Sequence, residues 1–278
     1  MFADLLHLIA IERRGTPQPR RPETSAVMTD PSSVDAFHTE GEIVLGPVYL
    51  FNARAVARLA PRNGKVLDLG SGSGQFLRVL ADLRPDLVIL GIEPSSAMRA
   101  RGQADIDAQG LSTRLQLMDG DMTDLDDRFP GPFDVVSSLF ALHHLPATAD
   151  LGRCFTQLRR LRERDGSALW LFDHARPRGD ESAERFARLF ARDRSPLFQR
   201  DSANSVAAAF SFQEWQTAWR ASGLPDARHA VSRFFPFYQC LRLAGPGSPH
   251  RTPPERTPSD FSLRARAAAF GLLFPGMS

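Results

Sequence analysis

The chain is poor in cysteine, nearly devoid of lysine and free of long apolar runs. Two cysteines, Cys154 and Cys240, in 278 residues cannot frame a disulfide scaffold or a zinc cluster, so a reducing compartment, the cytoplasm, is expected. No stretch reaches the ~18 consecutive apolar residues of a membrane span. Residues 2–11 are apolar but broken by Asp4 and His7, and they lack the basic start and small-residue cleavage site of a signal peptide. Of the 34 basic side chains only Lys65 is a lysine, a bias that genomic base composition explains. Against 32 acidic groups the formal charge is +2, which gives no electrostatic case for a nucleic-acid partner. What the chain has in quantity is apolar surface. At 42% hydrophobic residues it can bury a sizeable core, and wholesale disorder is excluded.

Proline and charge mark residues 15–25 and 245–259 as linkers. Residues 261–274 read as a frayed tail rather than a short amphipathic helix. Met28 offers a later start that would remove a segment the fold does not need. The expected divisions are an N-terminal extension and linker over 1–29, a core domain over 30–245 with a lid insert at about 175–210, and a Pro-rich linker and tail over 246–278. Within the core, residues 65–69, 87–93, 114–118, 133–138 and 167–173 read as strands. Between them Phe76, Leu77, Leu80 and Leu83 keep helical spacing, as do Leu151, Cys154, Phe155, Leu158 and Leu161 before Gly166. Strand and helix alternating in this way predict a doubly wound α/β fold, a parallel sheet covered on both faces. Ser211-Phe-Gln-Glu214 is a capping-box signature opening a helix with Trp215, Ala218 and Trp219. Two further runs, 227–235 and 237–243, predict a closing antiparallel pair.

The strongest chemical signal is Val66-Leu-Asp-Leu-Gly-Ser-Gly-Ser-Gly-Gln75, a strand passing through Gly70, Gly72 and Gly74 straight into a helix. Glycines there let the backbone turn sharply and approach a ligand. Asp68 precedes them, and Glu93 and Asp121 end the next two strands, so the three acids converge on one crevice. A carboxylate at Glu93 can accept both hydroxyls of a ribose, and Asp121 an exocyclic amine.

With these residues, the chain over about 43–243 resembles the class I S-adenosylmethionine-dependent methyltransferases of the small-molecule type. The resemblance also rests on Gly-Asp121-Met122-Thr-Asp, on the segment Phe133-Asp-Val-Val-Ser-Ser-Leu-Phe-Ala-Leu-His-His-Leu145 and on Asp165-Gly-Ser-Ala-Leu-Trp-Leu-Phe-Asp173. It implies a Rossmann-like seven-stranded sheet, mostly parallel with a closing antiparallel strand, carrying helical N-terminal and lid additions. It implies S-adenosylmethionine as cofactor. By resemblance Gly70, Ser71, Gly72 and Gly74 lie against its methionine part, Asp68 orients its ammonium, Glu93 holds its ribose, Met98, Asp121 and Met122 border its adenine, and Ser137 completes the set. A nicotinamide-dependent dehydrogenase is the main rival, since Glu93 also suits that spacing, but its fingerprint is Gly-x-Gly-x-x-Gly. A protein or RNA acceptor and a non-catalytic, cofactor-binding regulator stay open.

The sulfonium methyl of such a cofactor is already activated, so the protein chiefly aligns an acceptor and excludes water. A general base matters for an alcohol or protonated amine. The candidates are His143 and His144 after strand 4, and Asp173 and His174 at the end of strand 5; His144 is the preferred base. No metal is expected, because adjacent His-His and Asp-His pairs present no recognised ligand spacing. Ser137-Ser-Leu-Phe140 stands where base-modifying relatives carry Asn/Asp-Pro-Pro-Tyr/Phe. That points away from nucleic acid and toward an O or N atom of a small molecule or short peptide. Residues 30–60, with Val48-Tyr-Leu-Phe51, are expected to cover the cofactor, and the 175–210 insert the acceptor. In the insert Phe186, Leu189 and Phe190 share a face, with Arg185, Arg188, Arg192 and Arg194 around it. A solvated helix face is favoured there over a basic lid on an anionic substrate.

Overall fold

The computed structural model describes residues 2–16, 18–24, 30–125, 129, 131–179, 181–248 and 256–277. Met28 and the middle of the second linker lie outside the described residues. Seven strands form one sheet: β1 (Lys65–Leu69), β2 (Val88–Ile92), β3 (Leu115–Met118), β4 (Val135–Leu139), β5 (Ala168–His174), β6 (Arg228–Val231) and β7 (Tyr238–Leu243). Their order is β3-β2-β1-β4-β5-β7-β6. The first five run parallel, while β7 is antiparallel to both β5 and β6. This is the doubly wound, Rossmann-like sheet with an antiparallel closure that the alternation of strands and helices predicts. The 227–235 run yields a strand of only four residues. Beyond it the chain turns at Ser232, whose hydroxyl donates to the Phe235 carbonyl at 2.5 Å and accepts from Tyr238 N–H at 3.2 Å.

The helices are α1 (Phe2–Arg14), α2 (Pro31–Leu59), α3 (Gln75–Leu83), α4 (Ser96–Ala108), α5 (Thr148–Asp165), α6 (Ser182–Phe190), α7 (Pro196–Ala208), α8 (Phe212–Ala221) and α9 (Phe261–Gly271). Side chains alternate across a strand, so Val66, Trp170 and Phe172 pack beneath α2 and α3, whereas Leu67, Leu169 and Leu171 pack with α5 and α8 on the opposite face. Gly166 in the left-handed region ends α5. The Ser211–Glu214 capping box opens α8, with each side chain taking the other's backbone N–H at 3.2 and 2.7 Å. Among the described residues no helix is long and apolar enough to cross a membrane.

Both ends of the chain depart from expectation. Residues 261–274 do not fray: Asp260 caps α9 by accepting Leu263 N–H at 3.0 Å, and Phe270 and Phe274 pack on Phe51 with ring centroids 5.4 and 5.6 Å away. Two rings four residues apart on one side of the tail complete the apolar flank of α2. At the other end, α1 buries Leu8 against the insert, and the buried Glu12 carboxylate accepts the N–H groups of Arg178 and Gly179 at 2.9 and 3.1 Å. Residues 18–24, composed like a linker, form a docked strap. The Arg20 guanidinium donates to the carbonyls of Ala208, Pro146, His143 and Leu145 at 2.5–2.8 Å and lies 3.9 Å over the Phe210 ring. Loop carbonyls without sheet partners thereby receive donors.

Candidate active site

The carboxyl ends of β1, β2, β4 and β5 open on a cavity of about 440 Å³, within the usual size of small-molecule sites. Close packing dictates the glycine turn. Gly70 has φ +72°, and a Cβ there would sit 2.4 Å from Ala141 Cβ and 2.8 Å from Met122 Cε, so only glycine fits. Gly72, at φ +54°, faces open space with nothing within 4 Å. Gly74 caps α3 and lies outside the cavity lining.

Glu93 is locked from behind. Its Oε2 accepts Gly72 N–H and its Oε1 accepts Ser95 N–H, each at 2.9 Å. A carboxylate has about four lone-pair sites, so both oxygens keep one for a diol. Burial pushes its pKa up. Asp68, 2% exposed, accepts the Ser137 hydroxyl at 2.6 Å, and burial pushes its carboxyl up to about 7. Ser71, Met98 and Met122 line the cavity as expected. Besides Gly74, two residues expected at the cofactor, Ser137 and Asp121, do not. Ser137 is fully buried behind Asp68 and acts on that carboxylate. Asp121 is exposed and outside the lining, its Oδ1 engaged by Thr123 N–H and Oγ1–H at 2.7 and 2.8 Å. An Asp followed two residues later by such donors closes its own turn.

At the far end, Phe140 follows β4 in the left-handed region (φ +53°), and a 3-10 turn, Leu142–His144, brings both histidines to the end of β5. Asp173, 1% exposed, accepts from His143 Nδ1 at 2.6 Å, from His143 N–H at 3.0 Å and from His174 N–H at 2.6 Å. Burial opposes its charge, but His143 beside it holds the carboxyl below its ordinary value. His143 Nε2 is left buried without a hydrogen-bond partner. His174 lies between Phe140 and Tyr238, with ring centroids 4.8 and 5.5 Å away, and burial pushes it down to about 3, so it stays neutral. His144 is paired instead with Glu23 of the strap: its Nδ1 lies 2.5 Å from Oε2, while Glu23 Oε1 accepts the Ser205 hydroxyl at 2.9 Å. Against the cost of burial, Glu23 raises the pKa of His144 and is itself held at about 2. Glu23 thus stabilises the protonated form of the preferred sequence candidate, whereas Nε2 of His143 is left bare.

Sequence reasoning missed Glu23, hidden in a linker-like run, and it missed Phe37, Phe198 and Tyr238 among the aromatic lining, though it expected the 175–210 insert to contribute. Phe186 of α6 and Tyr238 of β7 pack against His174 at this end, and Phe37 and Tyr49 of α2, Phe190 of α6 and Phe198 of α7 line the same cavity. Periodicity marks each as buried but not which surface it shares. The arginines of the insert stay outside: Arg185 pairs with Glu181 and Arg192 with Asp193, while Phe186 and Phe190 turn inward. Among the described residues no lysine or arginine lines the cavity, whereas Glu23, Asp30, Asp68, Glu93 and Asp201 do.

Residues 66–166 match a family described as a methyltransferase domain. Over 102 residues the chain is 34% identical to a carboxy-S-adenosyl-L-methionine synthase of Campylobacter concisus, covering 36% of this chain and 42% of that protein. Over 121 residues it is 31% identical to a malonyl-[acyl-carrier protein] O-methyltransferase of Legionella pneumophila, covering 44% and 39%. The match thus spans less than half the length of either relative. A solved SAM-dependent methyltransferase from Aquifex aeolicus superposes with a TM-score of 0.54 at 15% identity, over 77% of this chain and 98% of that one, a likeness of fold. The glycine turn, the strand order and these matches make the chain similar to the class I S-adenosylmethionine-dependent methyltransferases, the family match itself spanning residues 66–166.

Proposed function

We propose that the protein transfers the methyl group of S-adenosylmethionine to a hydroxyl oxygen of a small, uncharged aromatic molecule. The observation that carries this reading is the His143–Asp173 pair, which presents a bare, buried Nε2 at the end of the cavity beyond the glycine turn. The other end fits the cofactor. Gly72 leaves room against the backbone, Glu93 has lone pairs for two ribose hydroxyls, and Asp68 supplies a carboxylate for an ammonium. When bound, the cofactor supplies an electrophilic methyl on a positive sulfur.

The chain's own work is to position, dry and deprotonate. The aromatic walls and the strap exclude water and hold a flat acceptor in line, a contribution of up to roughly 7–11 kcal/mol in well-oriented systems. His143 Nε2 takes the hydroxyl proton, and Asp173 fixes the tautomer and stabilises the resulting imidazolium. A neutral amine needs no such base, so oxygen is the favoured atom. The malonyl group named for one relative is an acid in its free form. An acceptor carrying a carboxylate would meet the acids of this cavity and, among the described residues, no lysine or arginine, while His144 is already paired with Glu23; burying an unpaired charge is costly.

The test is methyl transfer to matched aromatic pairs, such as 2-naphthol and 6-hydroxy-2-naphthoic acid, read by mass. Methylation of the neutral member is expected. A protein that binds S-adenosylhomocysteine yet methylates only the acid overturns the reading.

A further inference from the structure

We propose that Glu23, His143 and His144 form a binding site for a divalent transition-metal ion of the zinc class, and that filling it switches methyl transfer off. One ligand atom from each residue lies within 4.8 Å of the others. The set joins the N-terminal strap to the turn after β4, so neighbouring histidines that lack a ligand spacing in sequence gain a third partner 121 positions away.

Two of the three ligands are held from behind. Asp173 engages His143 Nδ1 at 2.6 Å, which leaves Nε2, buried and without a partner, as the ligating nitrogen. A carboxylate behind an imidazole is the usual support of a metal-bound histidine, fixing its tautomer and raising its basicity. Ser205 fixes one Glu23 oxygen, and the other lies 2.5 Å from His144 Nδ1, where an ion would replace the shared proton. The four carbonyl contacts of Arg20 pin the strap three residues before Glu23. Two imidazoles and one carboxylate are the ligand set of zinc sites that keep a fourth position open, and here that position faces the cavity, which all three residues line. Nitrogen ligands favour zinc, cobalt or nickel over magnesium and calcium, which prefer all-oxygen shells. The surrounding carboxylates and the absence of lining arginine, among the described residues, draw a cation inward.

The site rests on this geometry alone, whereas the switch rests on the proposed function: a lone pair on His143 Nε2 given to an ion cannot take the acceptor's proton. The test uses the full chain, stripped of metal and titrated with Zn²⁺ by equilibrium dialysis and with Co²⁺ by visible absorption. One saturable ion per chain is expected, weakened at least tenfold by Glu23→Gln and again by His144→Ala, and weakened also by Asp173→Asn. No saturable binding, or equal binding by a His143→Ala/His144→Ala variant with the parent's circular dichroism, overturns the site. Transfer to a neutral phenol should fall as zinc fills the site and return with a chelator. Undiminished transfer at full occupancy overturns the switch, and transfer that requires the ion overturns the switch and the base role of His143 together. If ion-free protein that binds S-adenosylmethionine transfers to no neutral phenol, the proposed function fails while the binding measurement still decides the site.

Discussion

The cofactor end of the cavity comes from neighbours: Gly72 and Glu93 are 21 positions apart, on adjacent parallel strand ends. The acceptor end is gathered from afar, with His143 and Asp173 30 positions apart and Glu23 and His144 121 apart. The first end is polar and shaped by backbone; the second is aromatic, with Phe186 of α6 and Tyr238 of β7 against His174. A shared cofactor can thus be held by a local motif while the acceptor surface is rebuilt from peripheral segments, as on other folds that host many chemistries.

If the two ends are energetically separate, substitutions should split cleanly. His143→Ala should lower turnover by about 10²–10⁴-fold, the range for a general base, while titration of S-adenosylhomocysteine gives nearly the parent affinity. A large loss of affinity would join the two ends. Glu93→Ala removes acceptors for two hydroxyls, each charge-assisted bond contributing about 1.5–3 kcal/mol, so cofactor affinity should fall about 10²–10⁴-fold with turnover at saturation largely kept.

The pH dependence of cofactor binding sharpens the cofactor side. Burial raises Asp68 to about 7, so below that pH the carboxyl is protonated and cannot pair with an ammonium. Affinity should rise by at most tenfold per unit as pH climbs to about 7 and then level off, and Asp68→Asn should flatten the profile. Folding shows the opposite sign: the unfolded carboxyl ionises near 4 and the folded one near 7, so this group's contribution to stability declines between those values. The smallest effect belongs to Phe190→Ala. This half-exposed ring should cost about 1 kcal/mol of acceptor contact, a roughly fivefold rise in acceptor KM with no change in cofactor affinity.

The same contrast explains what the sequence discloses. The sheet, the Gly70–Gly74 turn and Glu93 are legible because they follow from periodicity and short-range spacing. Asp121 is ambiguous because a strand-end acid serves a ligand and its own turn equally well on paper, and here Thr123 engages its Oδ1. His143 and His144 are indistinguishable as neighbours; only the 3-10 turn gives one to Asp173 and the other to Glu23. Pro-Gln-Pro-Arg20-Arg-Pro-Glu23 has linker composition, and nothing local announces that one guanidinium will meet four distant carbonyls. The tail fails for the same reason, since Phe270 and Phe274 acquire meaning only beside Phe51.

On the proposed function, the carboxylates that line the cavity also bear on how each turnover ends. Loss of the methyl converts a positively charged sulfur into a neutral thioether, so the spent molecule leaves with one positive charge fewer than its predecessor brought. Asp68, Glu93, Glu23 and Asp201 attract the fresh donor more strongly than the used one. The walls that admit the reactant therefore help to expel the product, and exchange of the two is driven by the chemistry itself.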